Sequence, residues 1–121
     1  MPVRGVRGAT VAEENTPEAI LGAARELLHA ILEANPEMQT SDIASALFTV
    51  SDDLNAVYPA QAARQIGWEQ VPLICAREIP VPDGLPCCIR VLLHWNTQLP
   101  QSAVSHVYLG AASRLRPDLR S

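Results

Sequence analysis

Hydrophobic positions along the chain follow two different periods. Across residues 17–35, Ile20, Ala24, Leu27 and Ile31, joined by Leu28 and Leu32, recur every three or four positions, which predicts one long amphipathic helix. Thr16-Pro17-Glu18 has the form of a helix start: a hydroxyl to cap, a proline at the first helical position, an acid at the positive end. Pro36 forbids continuation, and Glu18, Glu26 and Glu33 form a solvated face. Residues 87–97 alternate instead. Ile89, Val91, Leu93 and Trp95 take one face of a strand; Cys88, Arg90, Leu92 and His94 take the other. Residues 2–10 predict a strand in which Val3 and Arg7 share a face with Gly5 between them, and Arg4 and Val6 take the opposite one.

The remaining segments are shorter. Residues 41–50 predict a helical turn followed by a strand. Residues 58–66 predict a second helix, with Pro59 near its start and Gly67 closing it. Residues 71–78 predict a short buried strand, and Val81-Pro82-Asp83-Gly84 a turn. A short helix from Pro100, a strand over 104–109 and a mobile tail over 113–121 complete the pattern. The order β, long α, β, α, β, β, α/β places the 121 residues in one α+β domain, a mixed β-sheet with helices on one face. The other face, with strands this apolar, is expected to meet another subunit.

Charge narrows the function. Thirteen acids against nine bases give a net charge of −4, which argues against nucleic acid as the main partner. No apolar run approaches the length of a membrane span, and the first 25 residues contain no signal-peptide core. An odd count of three cysteines (Cys75, Cys87, Cys88) suits a reducing compartment, so a cytoplasmic location is expected. The three histidines show no paired ligand spacing, so no metal is expected. Every base is arginine. Without lysine there is no Schiff-base chemistry and no P-loop lysine, and each cation is a planar fork suited to carboxylates or phosphates.

Arginine also occurs where it is costly. Arg90 lies in the middle of an apolar strand and needs an anion or polar partner there. Glu78, at the end of the preceding strand, is one candidate, which gives a structural ion pair between neighbouring strands. A ligand is the other. Arg7, Arg64, Arg90 and Arg116, with one carboxylate and a tyrosine, would suit a small, multiply anionic molecule.

The sequence resembles the AroH-type, monofunctional chorismate mutases from end to end. The likeness is carried by Arg4-Gly5-Val6-Arg7-Gly8-Ala9-Thr10, Asp53-Leu54-Asn55-Ala56-Val57-Tyr58-Pro59-Ala60, Gly67-Trp68 and Val71-Pro72. It continues through Cys75 to Glu78, Cys88-Ile89-Arg90-Val91, His106-Val107-Tyr108-Leu109 and Leu115-Arg116-Pro117-Asp118-Leu119, in order and at matching separations. The resemblance implies a homotrimer forming a pseudo α/β-barrel, with active sites at subunit clefts. It implies the Claisen rearrangement of chorismate to prephenate in phenylalanine and tyrosine biosynthesis, with no cofactor. That reaction is unimolecular and needs no nucleophile. It needs a held conformer and stabilisation of separating charge.

Roles follow from the resemblance. Arg90 is expected at the ether oxygen and Arg7 at a carboxylate. Glu78 would accept from the ring hydroxyl with Cys75 beside it, and Tyr108 would donate to a carboxylate. Tyr58, Ala60, Leu73 and Ile74 would form the walls, Gln61 the rim, Arg64 and Arg116 would steer the dianion, and Leu115 would cover it. Tyr58 stands where the family pattern has Phe, and Gln61 where it has Lys. The alternative reading is a non-catalytic trimeric module that binds a small carboxylate metabolite in the same clefts.

Overall fold

The computed structural model describes residues 1–115. Five strands, β1 (Val3–Val11), β2 (Ile43–Val50), β3 (Leu73–Arg77), β4 (Cys88–Asn96) and β5 (Val107–Tyr108), form one sheet in the order β3-β2-β4-β1-β5. β4 pairs antiparallel with β1 on one side and β2 on the other, while β2–β3 and β1–β5 are parallel. The sheet is therefore mixed, as the sequence predicts. Central β4 keeps the predicted alternation, with Ile89, Val91, Leu93 and Trp95 all buried.

Helix α1 (Pro17–Ala34) lies across this face and buries Ile20, Ala24, Leu27, Leu28 and Ile31. Each such leucine or isoleucine removed from water contributes about 2 kcal/mol, the alanine less. Thr16 caps the start, its hydroxyl accepting from the Ala19 N–H at 3.2 Å. Asn35 ends it and is itself buried. Its amide donates to the carbonyls of Ile31 and Ser105, each at 2.9 Å, and its Oδ1 accepts from the Ser105 N–H. The helix end is thereby tied to the segment leading into β5.

Helix α2 (Ala60–Gln65) covers the same face of the sheet and ends at Gly67, whose φ of +94° glycine adopts without strain. Phe48, Trp68, Trp95, Leu93 and Val6 join α1 and α2 in one core. Helix and sheet meet closely at Gly8, where a Cβ would stand 2.7 Å from Ile31 Cδ1.

Two expectations need correction. The strand over 71–78 is shorter and not buried: β3 has β2 on one side only, and Ile74 is 64% exposed. The strand over 104–109 contracts to two residues, because Gln101–Ala103 and Gly110–Arg114 form 3-10 turns on either side. The tail expected from 113 begins inside the second turn; from Arg116 onward it lies outside the described residues.

Candidate functional site

The face of the sheet away from the helices carries a recess of about 450 Å³, a size suited to a small molecule. Four strands line it: Arg7 and Ala9 from β1, Leu47 and Thr49 from β2, Arg90 and Leu92 from β4, Tyr108 from β5. Glu78, just past β3, and Leu115 complete it. These positions converge by strand alternation. Arg90 pairs with Ala9 across β1 and with Thr49 across β2, so their side chains share a face.

Glu78 is held at two points. Its N–H donates to the Val50 carbonyl at 2.8 Å, continuing the parallel β2–β3 ladder. Its Oε2 accepts from the Thr49 hydroxyl at 2.9 Å. The same oxygen lies 3.4 Å from Arg90 Nε, an ion pair in which both side chains are about one-third exposed. The expected Arg90–Glu78 pair therefore forms, but not between neighbouring strands. β2 runs between β3 and β4, and Thr49 fills the gap.

The pair leaves the guanidinium only partly used. Among the described residues, Arg90 Nε is buried without a hydrogen-bond partner, and so is the Tyr108 hydroxyl. Two buried donors thus face one pocket, in a chain where most such groups are expected to be satisfied. Arg7 is placed by its backbone, whose N–H donates to His106 Nδ1 at 3.0 Å. That bond fixes the edge of β1 against the approach to β5.

The other predicted site residues gather elsewhere. Tyr58, Ala60, Gln61, Arg64, Leu73, Ile74 and Cys75 line a second recess, of about 550 Å³, between α2 and β3. Within one chain Cys75 does not line the Arg90 pocket. It is three residues from Glu78, hence on the opposite face of β3, and packs against the core. Burial pushes its thiol above the ordinary range, against a smaller opposing effect from the Ala60 backbone. Cys88, beside Arg90, is also raised by burial, in part offset by that cation. Cys87 is raised by burial and by the nearby Asp53 carboxylate. All three thiols are free, and none has the depressed pKa of an activated nucleophile.

Sequence reasoning missed Thr49, Leu47 and Leu92 as pocket residues. The signal was strand parity, but it needed the β2–β4 register, which no local pattern specifies. It also missed what Asp53 does. The carboxylate accepts from the Cys87 N–H at 2.9 Å and from the Ser51 hydroxyl, while Ser51 Oγ accepts from the Cys88 N–H at 2.8 Å. This clamp holds Cys87 at a φ of +52° and sets where β4 begins, two residues before Arg90.

A mixed sheet covered by helices on one face, with two arginines, a glutamate and a tyrosine converging on the other, defines an α+β protein with an arginine-lined pocket on its open sheet face. Residues 3–119 match the family described as chorismate mutase type I, and the chain belongs to that family. It is 58% identical over 119 residues to the chorismate mutase AroH of Thermus thermophilus, covering 98% of each chain. It is 43% identical to that of Bacillus subtilis, covering 98% of this chain and 94% of the relative. Its fold superposes on a chorismate mutase from Clostridium thermocellum with a TM-score of 0.88 at 42% identity, over 91% of this chain and 97% of that one.

Proposed function

We propose that this chain catalyses the rearrangement of chorismate to prephenate, in the cytoplasm, as a homotrimer whose active sites lie between copies. The observation that carries the reading is one pocket lined by Arg7, Arg90 and Tyr108, in which Arg90 Nε, ion-paired with Glu78 but not hydrogen-bonded, and the Tyr108 hydroxyl have no hydrogen-bond partner among the described residues. Chorismate is a flexible dianion with an ether bond to break and a ring hydroxyl. Arg7 and Tyr108 bind its carboxylates and so select the folded conformer in which the reacting carbons meet. Glu78 accepts from the ring hydroxyl. Arg90 presents a fixed cation where negative charge develops on the ether oxygen, which lowers the barrier because the charge is preorganised and partly withdrawn from water. No proton moves and no covalent intermediate forms, so raised thiol pKa values are no obstacle.

The second recess belongs to the same site in this reading. Tyr58, at 75% exposure, Ile74 at 64% and Ile79 at 76% leave an apolar border along β3, which supports contact with another copy. If the α2–β3 recess of one copy meets the Arg90 pocket of the next, the association is head to tail, and a threefold rotation between copies closes it as a ring. The walls Tyr58, Ala60, Leu73 and Ile74, the thiol of Cys75, the rim residue Gln61 and the steering cation Arg64 then face the cations across the cleft. Leu115, which lines the Arg90 pocket, packs over it.

The test is incubation of the purified chain with chorismate alone, following prephenate. Wild type is expected to form prephenate with no added cofactor. Arg90→Gln is expected to keep its fold and oligomeric state and to lose about a hundredfold or more in kcat. An inactive wild type, or an Arg90→Gln variant with normal turnover, would contradict the reading.

A further inference from the structure

We infer that Thr49 is a positioning residue for catalysis: its hydroxyl holds Glu78 in place and thereby keeps the Arg90 cation available to substrate. This rests on the function proposed above. Thr49 stands between the two charged groups in the sheet, opposite Arg90 in the antiparallel register and opposite Ala76 in the parallel one. Its hydroxyl donates to Glu78 Oε2 at 2.9 Å, the very oxygen that lies 3.4 Å from Arg90 Nε.

The consequence follows from how that oxygen is held. A carboxylate and a guanidinium in a partly exposed pocket draw together into a full hydrogen-bonded pair unless something anchors the carboxylate. The Thr49 hydroxyl does so. It donates to Oε2, and the ladder bond from the Glu78 N–H to the Val50 carbonyl fixes the backbone below. Arg90 is left near its counter-charge but without a bond through Nε. Removing the hydroxyl frees Glu78 to close on Arg90, which turns the cation from the ether oxygen and the carboxylate from the ring hydroxyl. The first loss is felt mainly in the transition state, so kcat falls more than KM rises.

The experiment compares Thr49→Val, which keeps the shape and removes the hydroxyl, with Thr49→Ser, which keeps the hydroxyl, both alone and combined with Glu78→Ala. Thr49→Val is expected to lower kcat about tenfold, the loss of one hydrogen bond to a charged group. Thr49→Ser is expected to stay within about twofold of wild type, since the donor survives. In the Glu78→Ala background, Thr49→Val is expected to change kcat by less than about twofold, because its partner is already gone. Additive losses, or a Thr49→Val variant with wild-type kcat, would overturn the inference while leaving the proposed function intact. A wild type inactive on chorismate overturns both. If Thr49→Val does not fold, Thr49→Ala enters the same cycle and is read by the same criteria.

Discussion

A charged residue in a strand is tolerated when its surroundings supply what water supplied. Arg90 has the Glu78 carboxylate at 3.4 Å and an open pocket on its side of the sheet, so its charge is compensated without being consumed. Asp53 shows the same economy at a turn. Its pKa is held below the ordinary value of 3.8, chiefly by the Ser51 hydroxyl and then by the Cys87 backbone N–H, against a desolvation effect that opposes them. A carboxyl depressed in the folded state stabilises the fold above its unfolded pKa, and that contribution fades as pH falls through the lower, folded value. Asp53→Asn is therefore expected to lower the melting temperature by about 3 °C at pH 7, the modest figure suiting an exposed group. The gap should narrow near pH 3, as thermal unfolding followed by circular dichroism would reveal; a gap of equal size at both pH values would refute the assignment.

Among the elements, α1 and β1 depend on each other. The helix was legible because its cap, its proline and its apolar spacing all agree within one segment. Its approach to the sheet was not, because it depends on Gly8, which a strand pattern alone leaves unexplained. A methyl there would stand 2.7 Å from Ile31 Cδ1 and 3.2 Å from both Leu27 Cδ1 and Val91 Cγ1. Gly8→Ala is expected to destabilise the fold by about 1–2 kcal/mol through overpacking, somewhat offset by the flexible end of Ile31. Urea unfolding gives the measurement, and an unchanged midpoint would mean the helix rides freely over the strand. β3 and β5 were misjudged for the opposite reason. The apolar residues of β3 predict burial and those over 104–109 a longer strand, but position at the sheet's edges decides exposure and length, and edge position is a property of topology.

At the scale of the whole molecule, the residues expected in one site divide between two recesses of the same chain. Copies arranged head to tail would reunite them. Mixing Arg90→Gln chains with Arg64→Ala chains by unfolding and refolding together should then give activity above the mean of the two parents. In randomly mixed rings about a quarter of the clefts regain both intact halves. Sedimentation of the mixture would test for the trimer, and activity equal to the parental mean would place the whole site within one copy.

Near neighbours along the chain settle helix α1 with both its ends, the two-faced alternation of β4, and the arginine chemistry without lysine. The sequence also carries the family, because the motifs stand in order along nearly the whole chain. Tertiary packing sets β2 between Glu78 and Arg90, pairs Thr49 with Arg90 while its hydroxyl bonds Glu78, and turns Cys75 away from both. Strand order and register arise from packing between distant segments, where the free energy of the whole core selects one pairing among several that the local pattern permits.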